Sequence, residues 1–430
     1  MPVEVLTEIW AHNKSHPSVL GRIPQVCRTW KDLATDTPTL WANLYITEST
    51  DIPLLRTWIK RSKETDLNIS INFREAAYGR WLSQDAPNHS QKFVAIMDSL
   101  CPFSARWYRF EVFGPDYLAV LLRTALVSAL PIPRLAFLSI IPDEPPSGTP
   151  AVVPTNTIFQ NCPALFDIEI SSYPLPWDAF PFQSLTALTL GPTVVQNSLT
   201  WNTFAQALED SRNLQSIGFT GALPSIRGHD HLALTLPAVS SLSLALLRAS
   251  DLQHISSYLL LPQLTSLALS LPHQEDDFLP FLQQIPLHFP HLLSLEIDEV
   301  RLHEEAVGDS LHSFFLQFSV LTHLSLDLRD KEGNTQLFWR SLIHHAHEQH
   351  FLPALKKIDV PLLSIQDLLE LRQQANRHLL TIVVYHPDYP LTFDHLPVFT
   401  TWLVDNTRSL VLHRGPKRPS VRGSGVLHIH

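Results

Sequence analysis

Little in this sequence suits it to chemistry at a phosphate, a metal or a reactive thiol. Only 13 of the 430 residues are glycine, and they nowhere gather into a loop that could cradle phosphates. A Gly-x-Ser-x-Gly elbow, a Cys-x-x-Cys pair and a His-Glu-x-x-His run are all missing. Three cysteines, Cys27, Cys101 and Cys162, are too few and too scattered for a disulfide framework. No signal-peptide pattern opens the chain, so a reducing compartment is expected, cytoplasmic and/or nuclear. Basic charge is short as well: 31 Lys and Arg against 41 Asp and Glu give a net charge of −10, which argues against general nucleic-acid binding. Long apolar runs are also missing. The most apolar stretch, "YLAVLLRTALVSAL" from Tyr117, is shorter than a membrane span and carries Arg123 in its middle, so it reads as a buried helix. The histidines of "HHAHEQH", His344, His345, His347 and His350, have no cysteine or second ligand group near them and read as the solvated face of an outer helix. No catalytic residue, metal or cofactor is expected, and no membrane partner.

What is present is leucine at a recurring spacing. "LPQLTSLALSLP", Leu261 to Pro272, sets Leu264 three residues before the alternating pair Leu267 and Leu269. The same frame recurs with first positions at Leu135, Leu165, Leu185, Leu214, Val239, Leu264, Leu292, Leu321, Leu355 and Leu379. An earlier copy, "RWYRFEV", puts Trp107, Phe110 and Val112 in the leucine places. Steps between first positions are 30, 20, 29, 25, 25, 28, 29, 34 and 24 residues, bracketing the roughly 20 to 29 of a leucine-rich repeat. A lone strand cannot bury its apolar side, so such units must stack.

Between the strand units lie segments of helical periodicity. "WNTFAQALED" spaces Phe204 and Leu208 four apart, and "DFLPFLQQI", "LHSFFLQF" and "SIQDLLELRQQ" look alike. Strand, helix, strand predicts an α/β solenoid with a parallel sheet on its concave side and helices on its convex side. Prolines stand just before many strand units, at Pro133, Pro163, Pro237, Pro262, Pro290 and Pro353, where they stop a preceding helix. The asparagine that closes many such repeats is mostly missing, which predicts irregular loops.

The N-terminus is different in kind. Val5, Leu6, Ile9 and Trp10 fall on one side of a first helix, with Pro2 at its start and Glu4 near its positive end. After a break at His16 and Pro17, Val26, Trp30 and Leu33 repeat four and three apart. Several short helices with surplus apolar surface suggest a docking module.

This stretch resembles an F-box, in particular that of fungal F-box proteins with degenerate leucine-rich repeats. "PVEVLTEIW" matches the start of the motif, "VCRTW" with "KDLA" its middle and "TPTLW" its close. "LLRTWIKRSKETDLNISINF" is similar to the helix and first strand that come after the box in that group, and "LCPFSARWYRFEVFG" to its first repeat. The chain departs from the pattern at its edge, where Met1 replaces the leucine before Pro2. The resemblance implies a small all-helical F-box module over residues 1–45, a linking helix and strand over 46–100, a leucine-rich-repeat solenoid over 101–400, and a C-terminal cap with a basic, disordered tail over 401–430. It further implies a substrate-recognition subunit of an SCF-type cullin-RING ubiquitin ligase, not itself an enzyme. The box would bind a Skp-family adaptor and, through it, a cullin. Adaptor contacts are expected among Pro2, Val3, Leu6, Ile9, Leu20, Val26, Cys27, Trp30 and Leu33. The alternative is a repeat scaffold whose degenerate box no longer binds the adaptor.

Residues alternating with the leucines face outward from such a sheet. Most are small, as at Thr189, Gly218, Ser241, Ser243, Ser266, Ala268 and Ser270. Later they turn acidic, at Glu296, Asp298, Asp327 and Asp359, and Asp167 with Glu169 stand alone near the start. A basic or polar segment of an unknown protein target is expected on the late acidic positions.

Overall fold

The computed structural model describes residues 25–73, 86–115, 131–142, 162–171, 182–192, 199–225, 233–270, 279–298, 314–327, 354–361, 381–386, 409–414 and 427–429, with 118, 121, 122, 125 and 177 singly. The chain divides into two compact units, one of residues 1–215 with 222–232, the other of 216–221 with 233–430.

The first unit opens with helix α1 (Arg28–Asp36), a 3₁₀ turn (Pro38–Trp41) and strand β1 (Asn43–Thr47). Helix α2 (Ile52–Arg61) is next; Asp51 caps it by accepting from the Leu54 N–H at 3.3 Å, and Lys60 and Arg61 sit at its negative end. Then come β2 (Leu67–Asn72), helix α3 (Ala86–Leu100), β3 (Trp107–Gly114), β4 (Phe137–Pro142), β5 (Asp167–Ile170), β6 (Ala187–Leu190) and helix α4 (Trp201–Leu208). Strands β1 to β6 pair in sequence order and all in parallel. Leu44, Ile69, Phe110, Leu138, Ile168 and Leu188 form one buried row across them. Ile46, Ile71, Val112, Ile140, Ile170 and Leu190 form the next. Phe93 of α3 meets Phe73 edge-on at 5.9 Å beneath the sheet. In the "YLAVLLRTALVSAL" stretch the described positions 118, 121, 122 and 125 are helical, with Leu118 and Leu122 buried. Among the described residues no helix is long and apolar enough to cross a membrane.

In the second unit β7 (Ser216–Thr220), β9 (Ser241–Ala245), β11 (Ser266–Ser270), β12 (Ser294–Asp298), β13 (His323–Asp327), β14 (Lys357–Pro361), β15 (Thr381–His386) and β16 (Ser409–Arg414) are again parallel neighbours. β17 (Leu427–Ile429) turns back antiparallel on β16. Helices α5 (Ala249–Tyr258) and α6 (Leu279–His288) join strands, and β8 (Leu234–Thr235) pairs with β10 (Leu259–Leu260) in a small second sheet. One parallel strand per repeat, with helical connections, is the α/β repeat fold that the leucine spacing predicts.

The irregular loops predicted from the missing asparagine lie mostly outside the described residues; among the described residues the turn that enters the strand is regular. The first-leucine N–H donates to the carbonyl three residues back in seven repeats, from Leu135 to Ile132 (3.3 Å) through Leu264 to Leu261 (3.2 Å) and Leu292 to Phe289 (3.3 Å). Pro133, Pro163, Pro237, Pro262 and Pro290 take the second position of these turns, where a fixed φ suits the bend. Threonine then does part of the work of the absent asparagine. The hydroxyls of Thr186, Thr265 and Thr322 donate to Phe166 O, Ser240 O and Leu293 O of the preceding repeat at 3.1, 3.2 and 3.0 Å.

Scarce glycine is placed where a side chain cannot go. A Cβ on Gly191, just after β6, would overlap Ser171, backbone included. After β7 the chain turns through Gly221 at φ +74°, while after β9 the matching turn is held by Leu246 at φ +56°, where a branched side chain is strained. Gly191→Ala is therefore expected to destabilise by about 2–3 kcal/mol. Leu246→Gly is expected to stabilise by roughly 1 kcal/mol, strain relief outweighing glycine's added chain entropy. Chemical unfolding of both variants checks the opposite signs.

Candidate interaction site

Of the expected adaptor contacts, Pro2, Val3, Leu6, Ile9 and Leu20 lie outside the described residues. The other four sit on and beside α1. Val26 is 60% exposed and Cys27 is exposed, while Trp30 and Leu33 are half-buried. What holds α1 is the close of the motif. Trp41, 2% exposed, donates its indole N–H to Ala34 O at 2.6 Å, and the Arg61 guanidinium lies over its ring at 4.6 Å. Ala34 is buried against this anchor, and Trp30, one turn earlier on the same side of the helix, is half-buried. Behind the anchor, Arg106 donates to Thr65 O through Nε (3.0 Å) and Nη2 (2.7 Å) and to Ser62 Oγ at 2.6 Å, tying the end of α2 to the start of β3.

The expected target positions fall into register. Asp298 is directly opposite Asp327, and Glu296, Ser325 and Asp359 form the row beside it on β12, β13 and β14. In the row before, Ser294 Oγ lies 3.0 Å from His323 Nδ1, with Lys357 next along. Glu296 and Asp298 are half-buried.

A second group of charges, on β3 to β5 of the first unit, is more tightly built. Arg109 and Glu111 belong to it, and reading "RWYRFEV" for its leucine places alone passes over both; the alternation with Phe110 and Val112 is the signal that puts them on the outer face. Arg109 stacks its guanidinium on the Phe137 ring at 3.6 Å and donates from Nε to Glu111 Oε1 at 2.8 Å. Ser139, fully buried, donates to Glu169 Oε2 at 3.1 Å. Register sets Glu111, Ser139 and Glu169 side by side, with Asp167 level with Phe137 and Arg109. Burial holds the Glu169 carboxyl above its ordinary range; the Ser139 bond opposes this, Asp167 and Glu111 add to it, and Arg109 works against it.

Thiol chemistry finds no foothold at two of the three free cysteines. Burial, with Asp98 adding, pushes Cys101 up to about 11, and burial pushes Cys162 to about 12, so neither is a thiolate at neutral pH. Among the described residues no three His, Cys, Asp or Glu side chains come together as a metal site. His344, His345, His347 and His350 lie outside the described residues.

Comparison with known proteins bears on the N-terminus first. Residues 1–47 match the family model of F-box-like domains. No curated protein matches the chain. Among solved structures, a leucine-rich repeat-containing protein from Legionella pneumophila is similar at 13% identity, over 90% of this chain and 92% of that one, with a TM-score of 0.39. A protein from Bacteroides fragilis is similar at 14% identity, over 65% and 67%, with a TM-score of 0.29. The chain thus carries an F-box-like domain, and the parallel register of its strands gives it a leucine-repeat α/β fold.

Glu169 yields a test of how the charged group on β3 to β5 is held. The native state binds its proton more tightly than the unfolded chain does. The favourable contribution is therefore whole below the ordinary glutamate range and is lost as pH rises through the raised one. Glu169→Gln is expected to raise the unfolding midpoint at neutral pH, with the gap to wild type closing in mild acid. Thermal melts across pH 4 to 8, a window chosen about the ordinary carboxylate and histidine range, decide it.

Proposed function

We propose that this chain is the substrate-recognition subunit of an SCF-type cullin-RING ubiquitin ligase, akin to fungal F-box proteins with degenerate repeats. The F-box-like domain binds a Skp-family adaptor and through it a cullin, and the repeat sheets bind a protein target. Ubiquitin transfer belongs to partner enzymes, so the chain itself is not one. It works in the cytoplasm, the nucleus or both. The observation that carries the reading is the union in one chain of an F-box-like match at residues 1–47 with leucine-repeat sheets. Trp30 on α1 and Val26 just before it support it, because a half-buried tryptophan near an exposed valine is the composition of an interface core.

Adaptor binding by the full-length chain tests this. Wild type is expected to co-purify with a recombinant Skp-family adaptor. Leu6→Asp with Val26→Asp is expected to weaken that binding at least tenfold, about 1.4 kcal/mol. Val26 is 60% exposed, so a charge there leaves the core intact. A variant that binds like wild type overturns the proposed interface, and a wild type that fails to bind favours the repeat scaffold with a degenerate box.

On the second unit, Glu296, Asp298, Asp327 and Asp359 are proposed to receive a basic or polar segment of the target; their adjacent rows on β12 to β14 support this. Reversing charge with Glu296→Lys, Asp298→Lys and Asp327→Lys is expected to abolish capture of a target that wild type binds. Unchanged capture sinks the assignment.

A further inference from the structure

The outer face of β3 to β5 differs from that of β9 and β11 in what it presents. In the second unit the early outer positions are Ser241, Ser243, Ser266, Ala268 and Ser270, which offer little to grip. Around β4 the flanking strands present large side chains. Tyr108 and Phe166, 44% and 39% exposed, stand on either side of Ala136, which is 2% exposed. They are its neighbours across the sheet: the Ala136 N–H donates to Tyr108 O at 2.8 Å and the Phe166 N–H to Ala136 O at 3.1 Å. Three residues along β4, Glu111 and Glu169 flank Ser139 in the same way. Between these two places Phe137 is capped by the Arg109 guanidinium, which Glu111 holds.

We propose that this face is a docking groove along β4 for an extended protein segment that sets a lysine or arginine between Glu111 and Glu169 and an apolar side chain between Tyr108 and Phe166. Charge chooses the first residue. Two carboxylates, Glu111 and Glu169, flank Ser139, and the Arg109 guanidinium that bonds Glu111 lies over the Phe137 ring. A cation brought in meets carboxylates already partly stripped of water, where pairing is stronger than at an open surface. Shape chooses the second, since two half-exposed aromatics astride a buried alanine form a slot for one side chain, and aromatic walls are the usual anchors of an interface. The two places are roughly 10 Å apart along the strand, so one short segment spans both. An acidic segment or a nucleic acid would meet like charge.

This inference rests on the reading of the chain as a target receptor. Its test uses the full-length chain and pools of nine-residue peptides whose central residue is fixed as Lys, Arg, Glu or Ser, all other positions being randomised. Wild type is expected to retain the Lys and Arg pools at least tenfold over the Glu pool. Phe, Leu or another apolar residue is expected to be enriched within a few positions of the centre. Glu111→Gln with Glu169→Gln is expected to abolish the preference, while Glu209→Gln with Asp210→Asn, two exposed acids outside the groove, leaves it unchanged. Phe166→Ser is expected to remove the apolar enrichment and keep the basic one. Equal retention of the Glu and Lys pools, or a preference that survives in the Glu111 and Glu169 variant, overturns the proposal. Adaptor binding and thermal unfolding are followed for each variant. A folded variant that keeps the adaptor and loses the peptides separates failure of the groove from failure of the receptor reading.

Discussion

Seven of the described repeat strands depend on how the chain enters them. A turn closed by the N–H of the first leucine or valine, with proline in its second place in five of the seven, fixes where the strand begins. A shift of one residue in any repeat would turn its leucines to solvent and its serines inward. The turn makes that shift expensive, because it anchors residues at both ends in the core: Ile132 and Leu135, Leu236 and Val239, Leu261 and Leu264 are all at most 5% exposed. Register then passes from repeat to repeat through the entry carbonyl. Ser240 O accepts from the N–H groups of Thr265 and Ser266 at 2.9 Å each, and the Thr265 hydroxyl joins them. A neutral hydrogen bond of this kind contributes about 1 kcal/mol, but its repetition at each seam matters more, since a stacked-repeat protein is held by its nearest-neighbour interfaces.

The same logic explains how helix α1 is held in place. α1 is nine residues long and has no side-chain cap at Cys27, so its own stability is slight. Its hold comes from the far end. The Ala34 carbonyl, which accepts from the Thr37 N–H at 3.4 Å, is also taken by Trp41, whose ring is buried under Arg61. Thr37 adds a second contact by donating to Leu33 O at 2.8 Å. Fixing a helix by its C-terminal end leaves Val26 and Cys27 at the other end exposed. The repeat sheet starts only two residues after Trp41, so the anchor of α1 and the first strand of the sheet share one core.

How much of this the sequence discloses depends on which interactions are periodic. The strands are legible because a leucine at every second place is a local pattern, and β4, β5, β9, β11 and β12 each start two residues past the first leucine, or valine, of their repeat. The helices α4 and α6 are legible for the same reason at a longer period. β1 is not, since "NLYIT" has no leading leucine turn and is entered instead through the 3₁₀ turn at Pro38. The paired β8 and β10 are two residues each, too short for any period to show. Among the site residues, Asp167 and Glu169 stand out as isolated acids, but Arg109, level with Asp167 across the sheet, and Ser139, bonded to Glu169, lie 58 and 30 positions away, a nearness created only by stacking. The threonine hydroxyls are a third case. Nothing marks Thr265 as structural until the carbonyl of Ser240 is placed beside it.

The two sheets also divide the cost of recognition differently. A row of serine and alanine costs folding little and binds little, and that is what β9 and β11 present. The face of β3 to β5 instead places the Glu169 carboxyl at a site whose burial opposes its ionisation, with Asp167 and Glu111 opposing it further. Arg109 offsets part of this opposition, but from a fixed position over Phe137, so it cannot move to neutralise Glu169 fully. A sheet under selection for stability alone has a ready alternative in glutamine, which keeps the Ser139 hydrogen bond without the charge. The carboxylate is better explained as a preorganised acceptor, desolvated in advance so that less water has to be removed when a cation arrives. Seen this way, the leucine ladder supplies surplus stability and the first strands spend some of it on a surface that can discriminate.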